Sequence, residues 1–255
     1  MAMLVEIEAD NRYKLEPLFE NCQYDRVLID SVLEGCFGRA YADSASKPTV
    51  SRLDSGGFTM LGGDPDTVGV KELLQVAPVQ YVTPQNDKWQ NLLEDEFGVR
   101  ISKLPFTDFS AFSLDPNRLA EIIRNIPSPF RLKQIDKPLA EKLPSDVGNE
   151  YFFENFWSID DFLGRGIGYC ILHQNKIISA ATSMAQSSKA IDIEIETVPD
   201  FRKRNLGSVV GAKLLSHCLG KGIEPHWVAA NAISEKLALK LGYIRRESYE
   251  TFAIQ

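Results

Sequence analysis

Cysteine is sparse in this chain of 255 residues: Cys22, Cys36, Cys170 and Cys218 lie far apart and form no C-x-x-C pair. That spacing builds neither a disulfide framework nor a zinc knuckle, so free thiols in a reducing compartment are expected. Long apolar runs are missing too, since no window approaches the roughly 18 apolar residues of a membrane-spanning helix. The opening MAMLVEIEADNRYK has no basic stretch leading into an apolar core, as a secretory leader would. A cytoplasmic protein with no membrane partner is the expectation. Positive charge is in deficit, 28 Lys and Arg against 35 Asp and Glu, for a formal net charge of −7. A nucleic-acid binder wants a basic face, so no nucleic-acid partner is expected. His173, His217 and His226 have no neighbours at metal-ligand spacing. No metal site is expected, and all three histidines are read as structural.

What is present is organised around residues 191–222. A β-branched run with alternating acids, Ile191 to Val198, stops at Pro199. The cations Arg202, Lys203 and Arg204 follow, then Asn205, Gly207 and a segment with helical spacing. Leu206, Val210 and Leu214 recur at steps of four, with Leu215, Cys218 and Leu219 extending one apolar side, until Gly220 and Gly222 end the helix. A helix opened by such a loop offers unpaired N–H groups and the positive end of its dipole, which favours an anion. Gly207 lets backbone approach a phosphate without a Cβ in the way. The pattern is neither a P-loop nor G-x-G-x-x-G.

The loop Arg202-x-x-Asn205-x-Gly207 resembles the pyrophosphate loop of the GNAT acyltransferases, Arg/Gln-x-x-Gly-x-Gly/Ala. Asn205 stands where that family usually has Gly, and Asn tolerates a positive φ better than other residues with a side chain. A second block, Trp227 through Asn231, Ser234 and Ala238 to Leu241-Gly242-Tyr243, is similar to the family's other signature: strand, Asn, helix, Leu-Gly-Tyr. Asn231 suits an N-cap, and Gly242 the left-handed position after a helix. With Thr197, Pro199, Leu219 and Pro225, these residues resemble the subgroup that holds the zwittermicin-A-resistance acetyltransferase. The resemblance covers residues 128–255 well and the first half weakly.

It implies an α/β (α+β) GNAT fold, a mixed central sheet flanked by helices, with a catalytic domain over 128–255. The boundary is placed near Pro127, where Ile126-Pro-Ser-Pro-Phe130 reads as a linker. In the first half, residues 13–34 read as two short helices; from residue 39 come strands, a Gly-rich turn, a helix over 68–76, a strand, and a helix over 89–96 ending in Phe97-Gly98. This succession matches the second half, so a degenerate GNAT-like repeat is expected there, with an unrelated α/β lid as the alternative. In the second half, helices are expected over 138–143 and 149–163, and strands over 131–135, 168–172, 177–184, 191–198 and 249–254.

The implied cofactor is acetyl-CoA, held by Thr197, Val198, Arg202, Lys203, Arg204, Asn205, Leu206, Gly207 and Ser208, with Asn231 and Ser234 near the pantetheine arm. The implied reaction is direct acetyl transfer to a primary amine of a small molecule or peptide. Period two places Asp192, Glu194 and Glu196 on one face of their strand, where carboxylates raise one another's pKa. Glu194 is the first choice for general base, with Asp192 and Glu196 in reserve. The family often places a Tyr four residues before the Gly of the second signature; here Ala238 stands there, and it cannot donate a proton. Ser234 or water is left for general acid. The competing accounts are a non-catalytic acyl-CoA sensor and a tandem-GNAT aminoacyl or long-acyl transferase. Oligomeric state is left open, a dimer included.

Overall fold

A computed structural model describes residues 4–255. The elements in chain order are β1 (Val5–Glu6), α1 (Glu16–Phe19), α2 (Arg26–Leu33), β2 (Arg39–Ala42), β3 (Val50–Ser55), β4 (Phe58–Gly63), α3 (Val70–Gln75), β5 (Tyr81–Val82), α4 (Asp87–Phe97) and β6 (Ile101–Ser110). There follow α5 (Pro116–Arg124), β7 (Arg131–Gln134), α6 (Lys137–Val147), α7 (Ile159–Arg165), β8 (Gly168–His173), β9 (Lys176–Gln186), β10 (Ala190–Thr197), α8 (Leu206–Lys221), β11 (Glu224–Ala229), α9 (Ala232–Leu241) and β12 (Ile244–Ile254).

The chain forms two compact units. One comprises residues up to 106 together with 249–255, the other Thr107–Ser248. Pro127 thus lies within the second unit. The residues ahead of it belong there because α5 packs on α8, with Leu119 in one apolar cluster beside Phe109, Leu215 and Trp227.

In the first unit β1, β2, β3 and β4 pair antiparallel in that order, β5 joins β4 in parallel, and the end of β12 closes antiparallel on β5. In the second, β7, β8, β9 and β10 pair antiparallel, β11 joins β10 in parallel, and the end of β6 closes antiparallel on β11. The succession of strand senses is the same in both.

The second unit has three layers. Ile191, Ile193 and Ile195 of β10 face Leu206, Val209, Val210 and Leu214 of α8. The opposite side of the sheet is covered by α6, α7 and the segment between them, where Leu143, Phe152, Phe156 and Phe162 pack on Cys170 and Ala180. The apolar side expected of α8 is there, but Gly211 and Ala212 are buried as well. A helix pressed by the sheet on one side and α5 on the other needs apolar residues nearly all round.

Residues 149–163 do not form the single helix expected of them. A short 3-10 turn, Tyr151–Phe153, is followed by a break, and α7 starts afresh where Ser158 Oγ accepts the Asp161 amide at 3.1 Å. Ser at an N-cap competes with helix continuation, and here it wins. Besides the two-residue β1, β6 and α5 stand where no strand or helix is expected from sequence, the latter capped by Asp115 and opened by Pro116. All four cysteines are free thiols. No helix among the described residues is long and apolar enough to cross a membrane.

Candidate active site

The site begins with a fork in the sheet. β10 pairs with β9 from Ile191 to Thr197, but with β11 only from Ala190 to Asp192. Past Asp192 the two parallel strands part. Val198 donates its amide to Ile178 O of β9 at 3.0 Å. By alternation, the amides of Thr197 and Ile195 point the other way, to the edge that β11 has left.

The turn after β10 brings α8 to the mouth of the fork. Asn205, at the N-cap, is left-handed with φ 66°, and no side chain caps the helix. Its first N–H groups are therefore open to an anion. Lys203, with φ 62°, is also left-handed and exposed, as is the Arg204 side chain, which lies against Phe201. Neither Lys203 nor Arg204 forms an ion pair among the described residues. Gly207 faces Thr197: an added Cβ would stand 3.4 Å from Thr197 Oγ1 and 3.6 Å from Leu237. Leu206 and Ser208 are buried at the root of the helix. Arg202 is committed differently. Its Nε donates to Thr197 O at 3.0 Å and its terminal nitrogen to Glu196 Oε1 at 3.1 Å.

The three acids of β10 share a face, but the structure gives each a different partner. Glu196 Oε1, besides meeting Arg202, accepts the Thr197 amide at 2.7 Å. Asp192 Oδ1 lies 2.6 Å from His226 Nδ1, whose Nε2 faces Asp108 Oδ1 at 3.0 Å. Arg246 adds a fourth charge, 3.3 Å from Asp108 Oδ2. Burial alone would lower the imidazole's pKa, but the two carboxylates outweigh it and hold His226 protonated up to about 10. Glu194 has no cation beside it among the described residues. Burial pushes its carboxyl up to about 7, with the charges of Glu196 and Glu154 adding to the rise. One hydrogen bond opposes it, from Asn149 Nδ2 to Glu194 Oε1 at 2.7 Å.

Asn231 caps α9, its Oδ1 accepting the amides of Ile233 and Ser234 at 3.0 Å each. Ser234 Oγ accepts the indole N–H of Trp227 at 3.1 Å, which leaves its own proton free to be donated. Ala238 is fully buried in α9, and Tyr243 sends its hydroxyl to Pro225 O at 2.8 Å.

An uncapped helix beside a forked parallel pair is the arrangement in which known relatives can be compared. A family model described as GNAT acetyltransferase matches residues 16–252. The chain belongs to the GNAT acetyltransferase family. This GNAT enzyme is 24% identical over 256 residues to an uncharacterized N-acetyltransferase, YdfB, of Bacillus subtilis, with 95% of both chains covered. A crystal structure of a GCN5-related N-acetyltransferase-like protein from Streptococcus suis superimposes with a TM-score of 0.86 at 28% identity, covering 97% of this chain and 99% of that one. A tandem GNAT protein of the clavulanic acid biosynthesis pathway shares the fold at 12% identity, with a TM-score of 0.62 and 98% of each chain covered.

The fork and the loop of this GNAT acetyltransferase thus bring together Glu194, Glu196, Thr197, Val198 and residues 202–208. Asp192, on the same face, is held in an ion cluster with His226 and Asp108. Asp108 and Asn149 carry no local sequence signal: their partners lie 118 and 45 residues away. Among the described residues, no group of three or more His, Cys, Asp and Glu is arranged to hold a metal ion.

Proposed function

We propose that this GNAT acetyltransferase transfers an acetyl group from acetyl-CoA directly to a primary amine of a small molecule or peptide, with Glu194 as the general base. The observation that carries the reading is the placement of Glu194, a half-buried carboxyl raised to about 7, on the strand that forks from β11 beside an uncapped helix. A base poised near the working pH is effective because it is partly ionised and still takes up a proton readily.

The residues present suit coenzyme A. The first amides of α8, with Lys203 and Arg204, would hold its diphosphate, and Gly207 would admit it. Residues 195–198 along the open edge of β10, with Asn231 and Ser234 across the fork, would line the pantetheine arm. When bound, acetyl-CoA supplies an acyl group activated as a thioester. The chain's own part is to orient the amine, take its proton and supply hydrogen-bond donors. Glu194 accepts a proton from the acceptor's ammonium and so frees the lone pair. The Ile195 amide, aimed at the open edge, is the donor best placed for an acyl oxygen. Ser234 Oγ–H is the protein's candidate general acid.

Two observations favour a second reading, a non-catalytic acyl-CoA sensor. The Thr197 amide is already taken by Glu196, and no tyrosine replaces Ala238. The first unit is read as a degenerate GNAT-like repeat, supported by its identical succession of strand senses and by Asn86, which caps α4 as Asn231 caps α9. Residues 128–248 remain in the proposed catalytic portion, with the strand at Thr107–Ser110 added to their sheet, whereas the strand expected over 249–254 to close it belongs to the first unit, paired with β5. The test is release of free thiol from acetyl-CoA with polyamines, aminoglycosides, amino acids and peptides. Thiol release that depends on Glu194 supports transfer; tight acetyl-CoA binding without release from any of them supports the sensor.

A further inference from the structure

We infer that Asn149 is a positioning residue: it holds the Glu194 carboxylate and sets the pH at which that group ionises. This rests on the reading of Glu194 as the base.

The geometry fixes which end of the Asn149 amide meets the carboxylate. Asn149 Oδ1 accepts the Tyr151 amide at 2.8 Å, and Nδ2 donates to Glu194 Oε1 at 2.7 Å. A flipped amide would lose the first bond and set oxygen against oxygen at the second, so one orientation is strongly favoured. The segment bearing Asn149 is itself pinned at both ends. Gly148, left-handed with φ 76°, turns the chain out of α6, its amide bonded to Pro144 O at 2.8 Å. Three residues on, Phe152 is fully buried, and its carbonyl accepts the Thr182 hydroxyl at 3.2 Å. Thr182 is the β9 partner of Glu194. The two strands that carry the base therefore also anchor the loop that carries its donor.

The charges facing Glu194 are Glu196 on its own strand and Glu154 from the same loop, both acting to keep it protonated. Asn149 is the group that stabilises its ionised form. A donor to a carboxylate favours the charged state, and its removal raises the pKa. An acceptor amine arriving as a cation would meet a carboxylate with one oxygen bonded and oriented and the other free to take a proton.

The experiment compares kcat/KM against pH for the wild type, Asn149→Ala, Asn149→Asp and Glu194→Gln, using an amine found by thiol release. It is paired with a carboxyl 13C titration of Glu194 in ligand-free protein and a thermal melt of each variant. Asn149→Asp keeps an acceptor for the Tyr151 amide and changes only the group facing Glu194. The expected result is an acidic limb moved up by about one pH unit in Asn149→Ala and further in Asn149→Asp. That is about a fivefold loss at pH 7, recovered at pH 9. The Glu194 titration should move with it. An unmoved limb and an unmoved titration, or a loss equal at all pH values, overturns the positioning role, while a Glu194→Gln variant that has lost its activity upholds the base. If Glu194→Gln keeps wild-type activity and its acidic limb, the base reading fails instead, and the 13C titration alone then decides whether Asn149 sets the ionisation of Glu194.

Discussion

His226 lies between two carboxylates, Nδ1 2.6 Å from Asp192 and Nε2 3.0 Å from Asp108, with both acids only 13% exposed. Both ring nitrogens carry protons toward an anion, so the imidazolium joins β10, β11 and β6 just where β10 and β11 begin to part. Its pKa is raised on folding, so its contribution is complete below about 6.5 and is lost as the pH climbs toward about 10. We expect His226→Gln to cost about 3 kcal/mol in urea unfolding at pH 7. The variant should also lose less stability than the wild type between pH 7 and pH 10. Equal losses would show that His226 is neutral in the fold.

Glu194→Gln is expected to lower kcat/KM by about 10²–10⁴-fold, the usual contribution of a general base. In the wild type the rate should fall below pH about 7, as Glu194 takes up its proton, and in the variant that limb should vanish. Thiol-release kinetics from pH 5.5 to 9 check both. A limb that persists without Glu194 assigns it to another group.

Gly207→Ala separates folding from binding. The new Cβ would meet Thr197 Oγ1 at 3.4 Å, an ordinary contact, so the melting temperature should hold. On the proposed reading, coenzyme A affinity measured by calorimetry should nevertheless drop, because the methyl would crowd the turn through which the diphosphate is proposed to enter.

Arg204→Ala should weaken coenzyme A binding by about 1–3 kcal/mol, the worth of one lost phosphate contact, and adding Arg202→Ala should change affinity little further, because that side chain is held by Thr197 O and Glu196. The fold should survive, because the Arg202–Glu196 pair is exposed at 48% and 34%, where such pairs contribute little. Unchanged affinity would remove the loop from the cofactor site.

Asn205→Gly should keep coenzyme A affinity and stability within about 1 kcal/mol, since glycine takes φ 66° without strain and only the Lys240 contact at 2.5 Å is lost. Asn205→Val should cost about 1–2 kcal/mol in thermal unfolding, because a β-branched residue is strained there.

What could be read from sequence was local. The strand ending at Pro199, the cations, Asn205, Gly207 and the helix beyond are consecutive, and so are the cap at Asn231 and the turn at Gly242. β6 was not legible because its mostly half-buried run ISKLPFTDFS is interrupted by Pro105 and takes its meaning from β11, far along the chain. The roles of the β10 acids were hidden for the same reason. Period two puts Asp192, Glu194 and Glu196 on one face, but only the folded chain assigns them to His226, Asn149 and Arg202. The helix expected over 149–163 failed because Ser158 starts a new one, and that break leaves Asn149 in an irregular segment beside Glu194.

The last strand has a consequence for biosynthesis. Phe252 and Ala253 pair with Val82 and Tyr81, and Thr251 meets Thr83 at 2.9 Å. The earliest-made half therefore waits, with β5 lacking its neighbour, until residues 249–255 have left the ribosome. Cutting the polypeptide near the middle would leave each fragment without a strand that the other encodes, so co-expression of complementary pieces, rather than either alone, is the way to recover native protein.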